Sequence, residues 1–338
     1  MAKSLVTGAA GFIGSHVCDE LLKMGHTVVA LDDLSGGFLE NVPKRAKFFK
    51  GGVEDKALVA KLFKRHKFDY VFHLAAYAAE GLSHFIKTFN YTNNLIGSVN
   101  LINAAVNAGS VKCFVFTSSI AVYGRNQLPM KEEFVPQPED PYGIAKYAVE
   151  LDLKEAHEMF GLNFVIFRPH NVYGERQNLS DPYRNVIGIF MKQIRNGQPL
   201  TIFGDGKQTR AFSYISDVAP VIARSVGREK CYNQVFNVGA DHPYSVLALA
   251  QEVARCMGAK PDVAHLAARN EVVNAYSTHA KARKFFGDLI EEVSLCEGLD
   301  RMSAWAKTAR IYKTKPFRNI EVLKNLPPSW AAMAKKKP

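Results

Sequence analysis

The sequence predicts an α/β protein: a doubly wound parallel sheet with helices on both faces and a smaller lobe added toward the C-terminal end. Three observations carry this. Short apolar segments alternate with helix patterns of roughly 10 to 20 residues, the signature of βαβ units. The segments are apolar almost throughout (TVVAL at 27–31, FVF at 114–116), as strands covered on both faces are. A glycine-rich loop joins the first apolar segment to the first helix pattern.

The elements follow in order. Ser4–Val6 ends a short buried strand, and Thr7-Gly8 turns the chain. A helix pattern runs from Gly11 to about Met24, and Gly25 stands in the C-cap position. Thr27–Leu31 is a second strand rich in β-branched residues, and Lys47–Lys50 a candidate third. Ala57–His66 reads as helix, Tyr70–Leu74 as strand, and Thr92 to Ala108 as a long helix. Lys112–Thr117 is a strand, Tyr142–Phe160 a strong helix, and Phe164–Phe167 a strand. Beyond about residue 170 the rhythm loosens, and Pro, Gly and Asn crowd the stretch from Asn171 to Gly206. Asn233–Val238 looks like a strand returning to the main sheet. The expected organisation is therefore a first domain over 1–168 with a returning strand near 233–240, a second lobe mainly over 169–312, and a tail over 313–338. No internal repeat or low-complexity segment is present.

Composition narrows the function classes. The chain has 338 residues, 47% hydrophobic and 22% charged, which is ordinary for a globular protein. No run approaches the roughly 18 apolar residues of a membrane span. Met1-Ala2-Lys3-Ser4 leads directly into a strand pattern without the separate apolar region of a signal peptide. Cys18, Cys113, Cys231, Cys256 and Cys296 are scattered, with no CxxC pair. That argues for reduced thiols, a cytoplasmic setting and no metal site. The net charge of +11 has one dense run, Lys335-Lys336-Lys337, which reads as a solvated tail rather than a nucleic-acid or membrane patch.

Val6-Thr7-Gly8-Ala9-Ala10-Gly11-Phe12-Ile13-Gly14 has GxxGxxG spacing. Gly8 permits a tight turn, Gly11 lets backbone approach a pyrophosphate, and Gly14 allows helix and strand to pack closely. The following helix offers free N–H groups and partial positive charge to phosphates. Its place at the first strand–helix junction is the context a dinucleotide fingerprint needs. Asp32 ends the second strand and can hydrogen-bond both adenosine ribose hydroxyls while repelling a 2′-phosphate, which favours NAD over NADP. Asp33 is adjacent and can share that role.

Tyr142 and Lys146 form a YxxxK pair on one helix face. A free phenol has a pKa of about 10. A neighbouring ammonium favours the phenolate and fits Tyr142 for proton transfer near neutral pH. The strand Phe114–Phe116 runs into Thr117-Ser118-Ser119, and ligands of parallel sheets lie beyond the carboxyl ends of strands. Ser119 is thereby placed to hydrogen-bond a substrate hydroxyl beside Tyr142.

Taken together, these residues resemble the extended short-chain dehydrogenase/reductase family, and within it the UDP-glucose 4-epimerase group of NAD-dependent epimerases and dehydratases. The resemblance covers roughly residues 3 to 285. It also includes His73-Leu74-Ala75-Ala76, Asn94, Arg168-Pro169-His170-Asn171-Val172-Tyr173-Gly174, Phe203-Gly204-Asp205-Gly206 and Thr209-Arg210. It implies a Rossmann-type fold and a catalytic triad of Ser119, Tyr142 and Lys146. It further implies an NAD site formed by Gly8, Gly11, Phe12, Ile13, Gly14, Asp32, Asp33, Leu34, Gly52, Val53, Leu74, Ala75, Ala76, Asn94, Thr117, Tyr142, Lys146 and Pro169. In that reading Asn94 holds Lys146 through water or the cofactor pocket. Ser119, Tyr142, Asn171, Val186, Arg210, Arg269 and Tyr276 are the implied nucleotide-sugar contacts, with Arg210 gripping the diphosphate through its forked donors.

Similar dehydratases carry Asp-Glu directly after the catalytic hydroxyl, and decarboxylases a Glu in the second of those positions. Here Ile120 and Ala121 stand there and cannot transfer a proton. What remains is reversible oxidation at one carbon, and the resemblance implies interconversion of UDP-glucose and UDP-galactose through a 4-keto intermediate. Alternatives are an epimerase for a uronic acid or N-acetylhexosamine, a dehydrogenase or reductase with net redox, and a non-catalytic NAD-sensing or RNA-binding relative. Three positions depart from the family pattern. Gly51-Gly52-Val53 lacks a carboxylate expected near adenine, Ala211 replaces an Asp after the diphosphate arginine, and Arg269 lies one position out of register. The resemblance also implies a homodimer built on the helices near 82–108 and 142–160.

Overall fold

The computed structural model describes residues 1–125, 127–268, 272–312, 317, 319–328 and 330–331. Six strands appear in the first half of the chain: β1 (Lys3–Thr7), β2 (Thr27–Asp32), β3 (Lys47–Lys50), β4 (Tyr70–His73), β5 (Cys113–Thr117) and β6 (Phe164–Pro169). A seventh, Gln234–Val238, pairs parallel with β6. From that edge the sheet runs Gln234–Val238, β6, β5, β4, β1, β2, β3, and every pairing is parallel. The order reverses at β1, so the carboxyl ends of β1 and β4 open a crevice there.

Alternation along each strand sends side chains to two cores. Leu5, Val29, Val71, Phe114 and Ile166 pack on one face with Leu101 and Val149. Val6, Val28, Phe72, Val115 and Phe236 pack on the other with Val17 and Leu21. Those last two belong to α1 (Phe12–Lys23), which ends as the sequence indicates, with Gly25 at φ +82° just past its cap Met24. The helix α2 (Lys56–Arg65) is capped by the Asp55 carboxylate, which accepts from Leu58 N at 2.9 Å.

The long helix expected from Thr92 begins earlier. Lys87–Tyr91 is helical, Thr92–Ile96 forms a π turn, and Gly97–Ala108 continues as α-helix. The 20-residue helix Pro141–Phe160 lies beside it, started by Asp140, which accepts from Gly143 N at 2.9 Å, and by Pro141. After β6 the chain builds small units. Val172–Tyr173 pairs with Ser213–Tyr214, Leu200–Phe203 with Val263–Leu266, and Thr209–Ala211 lies between Pro243–Ser245 and Asn274–Ala275. The helices Val186–Arg195, Val246–Met257 and Leu295–Thr308 accompany them. No helix among the described residues is long and apolar enough to cross a membrane.

Candidate active site

A cavity of about 930 Å³ opens at the carboxyl ends of the strands. Its floor is the glycine loop. Gly8 turns at φ +69°, and a Cβ on Gly14 would sit 2.1 Å from the Gly8 carbonyl oxygen, so only glycine lets α1 start this close to β1. The N-cap of α1 is Gly11, which has no side-chain cap, and Phe12 and Ile13 of its first turn line the cavity. The unclaimed first-turn N–H groups and the helix dipole suit a phosphate.

Asp32 closes the ribose side. Its carboxylate accepts from Ala10 N at 3.0 Å and Leu34 N at 2.7 Å, and burial raises its pKa. Asp33 lines the cavity and accepts from Ser35 N. Leu34 itself lies outside the cavity lining: at φ +63° it offers only its N–H to Asp32 and packs its side chain against the core. Gly52 and Val53 line the cavity as well. Glu54 lies outside the cavity lining, with its carboxylate oxygens about 2 Å from where a Cβ on Gly52 would stand.

Leu74, Ala75, Ala76, Thr117 and Pro169 line the centre. Asn94 does not; it is buried one turn behind. Its Oδ1 accepts from Tyr77 N at 2.8 Å, and its Nδ2 donates to Tyr77 O at 3.1 Å and Asn90 Oδ1 at 2.8 Å. Through these bonds Asn94 fixes the loop after β4.

Ser119, Tyr142 and Lys146 converge in the same cavity. A Cβ on Gly143 would lie 2.6 Å from the Ala121 carbonyl oxygen, so glycine there brings the helix against the Ser119 turn. Lys146 Nζ donates to Thr117 O at 2.8 Å and sits 4.7 Å from the Phe116 ring centroid and 5.8 Å from that of Tyr142. The ionisation differs from the sequence expectation. Burial pushes the Tyr142 phenol above its ordinary value, with Glu80 and Asp140 adding to the rise and the Ser119 hydrogen bond and Arg184 opposing it. Lys146 is itself drawn down to about 7 by burial, against the pull of Glu150. The dominant influence on both is loss of water rather than their mutual attraction.

Sequence reasoning missed the brace behind this pair. Glu150 follows Lys146 by four residues, on the same helix face as Tyr142 and Lys146, and it is wholly buried. It accepts from Ser118 Oγ at 2.5 Å and from Arg168 Nε at 3.0 Å and Nη2 at 2.5 Å. Arg168 in turn donates to Tyr123 Oη at 2.7 Å, and Tyr123 donates to Asn237 Oδ1 at 2.9 Å. The i, i+4 spacing was the available signal. Arg184 was missed as well: it pairs with Asp181, with Nη2 2.5 Å from Oδ2, and lies over the Tyr77 ring at 4.9 Å.

On the opposite wall, Asn171 and Val186 line the cavity. Asn171, at φ +40°, donates from Nδ2 to Ala211 O at 3.1 Å. Arg210 lines it too, with donors engaged by Thr209 O, Val273 O and Val272 O at 2.9, 2.8 and 2.5 Å. Tyr276 lies outside the lining; its neighbour Ala275 takes the place expected for it, while Tyr276 O accepts from Met130 N. Arg269 falls outside the described residues. Ile120 and Ala121 both line the cavity. No cluster of three His, Cys, Asp or Glu suited to a metal occurs among the described residues.

Comparison with known proteins agrees with this geometry. The sequence profile of the NAD dependent epimerase/dehydratase family matches residues 4–239. A UDP-glucose 4-epimerase of Mycolicibacterium smegmatis is 34% identical over 323 residues, 93% of this chain and 99% of that protein. The crystal structure of a UDP-glucose 4-epimerase with UDP-glucose from Thermotoga maritima superposes with a TM-score of 0.85 at 35% identity, covering 90% of this chain and 98% of the other. A UDP-glucuronic acid 4-epimerase from Bacillus cereus, in complex with UDP-glucuronic acid and NAD, gives 0.82 at 30% identity, covering 90% and 99%.

Proposed function

The chain belongs to the NAD dependent epimerase/dehydratase family, and from that membership we infer that it is an NAD-dependent nucleotide-sugar 4-epimerase interconverting UDP-glucose and UDP-galactose. The observation that carries the reading is one cavity. It joins a dinucleotide cradle to Ser119, Tyr142 and Lys146, and it has Ile120 and Ala121 where elimination chemistry needs an acid and a base.

The cradle fits NAD. Gly8, Gly11, Gly14 and the open start of α1 would hold its pyrophosphate, Asp32 its adenosine ribose, and Gly52, with Glu54 beside it, its adenine. Lys146, held by Thr117 O, faces the nicotinamide ribose. NAD⁺ supplies the hydride acceptor and, once reduced, the donor that restores it. Tyr142 takes the proton of the sugar's 4-hydroxyl as C4 is oxidised and returns it when C4 is reduced from the other face. Ser119 hydrogen-bonds the same oxygen in both half-reactions. Burial holds the phenol up, so the step draws on its ionised form, which the positive charges of Lys146 and NAD⁺ would favour. Arg210 and Asn171 serve the diphosphate and sugar, fixing the nucleotide while the 4-keto sugar turns over. Residues 1–168 form the cofactor domain and 169–312 mainly the sugar lobe in this reading.

The protein acts in the cytoplasm as a homodimer. Support for the dimer is the apolar face left open by Ile144 and Leu151, each 43% exposed on the Pro141–Phe160 helix, beside Ile96 at 50%. Light scattering should give twice the chain mass; a monomer at micromolar concentration contradicts it. The function is tested by mixing purified protein with UDP-galactose and no added cofactor, then separating the nucleotide sugars. Appearance of UDP-glucose supports the reading. No conversion, with NAD still released on denaturation, would redirect it to a uronic acid or N-acetylhexosamine substrate, or to net redox chemistry.

A further inference from the structure

Of the C-terminal segment, outside the family pattern, the described residues Tyr312, Phe317, Glu321 and Trp330 are fastened to both sides of the cavity. On the ribose side the Tyr312 ring stacks on Phe38 at 4.1 Å. On the sugar-lobe side Ser180 Oγ donates to Tyr312 O at 2.8 Å, and Phe317 N donates to Tyr183 Oη at 3.2 Å. On the cofactor-domain side the Glu321 carboxylate accepts from Thr88 N and Phe89 N at 2.8 and 3.0 Å, while Glu321 N donates to Phe85 O at 2.8 Å. Trp330 then turns inward. It is 3% exposed, meets Tyr183 and Phe85 edge-on, and lines the cavity beside Gly81, whose Cβ would stand 3.3 Å from the indole. The preceding residue, Glu80, lines the cavity with Tyr142 and acts electrostatically on it, so the indole belongs to the catalytic end of the chamber.

We propose that this segment is a strap that seals the chamber, with Trp330 as a positioning wall that keeps the 4-keto sugar inside between the two hydride transfers. The inference rests on the epimerase reading above. Such a reaction has a particular weakness. The first half oxidises C4–OH to a ketone, sends hydride to NAD⁺ and the proton to Tyr142. If the ketone escapes before the second half, the enzyme is left holding NADH and stops. A substrate that must rotate needs a loose pocket, and a loose pocket leaks unless its mouth is closed. The strap joins the sugar lobe's 180–183 loop to the 85–89 segment of the cofactor domain, which is where a seal must act. A tryptophan supplies a large rigid wall at little entropic cost.

The test follows bound cofactor and free sugar together. Wild type, Trp330→Ala and Glu321→Ala are each given UDP-galactose, and reduced cofactor is read by its fluorescence. Ketose in the protein-free filtrate is trapped with borodeuteride and counted as deuterium at C4. Wild type should convert substrate with almost no reduced cofactor. Both variants should accumulate at least about tenfold more reduced cofactor per turnover, with matching ketose in the filtrate. A strap that only stabilised the fold would lower the unfolding temperature and leave this partition unchanged, and that result would overturn the proposal. Should Trp330→Ala not fold, Glu321→Ala, which alters only a surface cap, decides alone. A wild type that converts no UDP-sugar removes the epimerase reading and this inference with it. Conversion by wild type without a leak in the variants removes this inference only.

Discussion

The two walls of the cavity are built by different means. The cofactor wall consists of strand ends and helix starts: the glycine loop after β1, Asp32 at the end of β2, Thr117 at the end of β5, and Tyr142 and Lys146 one helical turn apart. The opposite wall consists of loops, two- to four-residue strands and one face of the Val186–Arg195 helix, and includes residues in uncommon backbone conformations, among them Asn171, Arg176 and Asn185 with φ of +40°, +66° and +61°. On the first wall, sequence spacing is geometry. On the second, position depends on side chains that hold distant backbone, as Arg210 holds Val272 and Val273. In the proposed function the proton-transfer residues sit on the regular wall, and the sugar contacts sit on the irregular one.

Variants can break or sharpen this contrast. Tyr142→Phe strikes the regular wall at the reacting atom: kcat should fall by about 10²–10⁴ with bound NAD unchanged, and a rate within a fewfold of wild type would end the assignment. Glu150→Gln strikes the same wall from behind. It leaves Arg168 buried with its charge uncompensated, and chemical denaturation should register a loss of about 3–5 kcal/mol. A loss under about 1 kcal/mol would mean the brace is dispensable.

Lys146→Met separates stability from chemistry. In the folded protein Lys146 titrates near 7, against an ordinary 10.5. A lowered pKa means the unfolded chain binds more protons between those values, so wild-type stability rises with pH across that window. The cost of burying the ammonium is greatest below about pH 7 and gone by 10.5. The inactive Lys146→Met protein should therefore melt higher than wild type at pH 6, with the gap closing by pH 10. A gap independent of pH would show that the lysine's charge is not what the fold bears. The smallest effect belongs to an exposed group: Glu54→Ala should release NAD no more than about tenfold faster, and no change would remove Glu54 from the adenine edge.

The same contrast explains what the sequence made legible. Alternating elements, the parallel sheet and the returning strand at 234–238 followed from apolar period and glycine punctuation. Ser119, Tyr142 and Lys146 followed because strand ends and i, i+4 spacing fix direction. Glu150 obeyed that spacing but was passed over, because an acid on a helix is ordinarily a solvated residue. Leu34, Asn94 and Tyr276 each lie next to a cavity residue rather than in the lining, and a one-residue offset in a loop or π turn is invisible to pattern. Glu54 over Gly52 and Arg184 on Asp181 are contacts of side-chain conformation, which no spacing encodes. The strap was illegible for a further reason: its anchors on Phe38, Tyr183 and Phe85 are more than a hundred residues away in the chain.

The central claim is that hydride leaves and returns at one carbon within one closed site. UDP-galactose deuterated at C4, converted in ordinary water with an excess of added unlabelled NAD⁺, tests it directly. The account predicts UDP-glucose with the deuterium still at C4 and no label in the added NAD⁺ pool. Deuterium lost to water, or collected as reduced cofactor in solution, would contradict it.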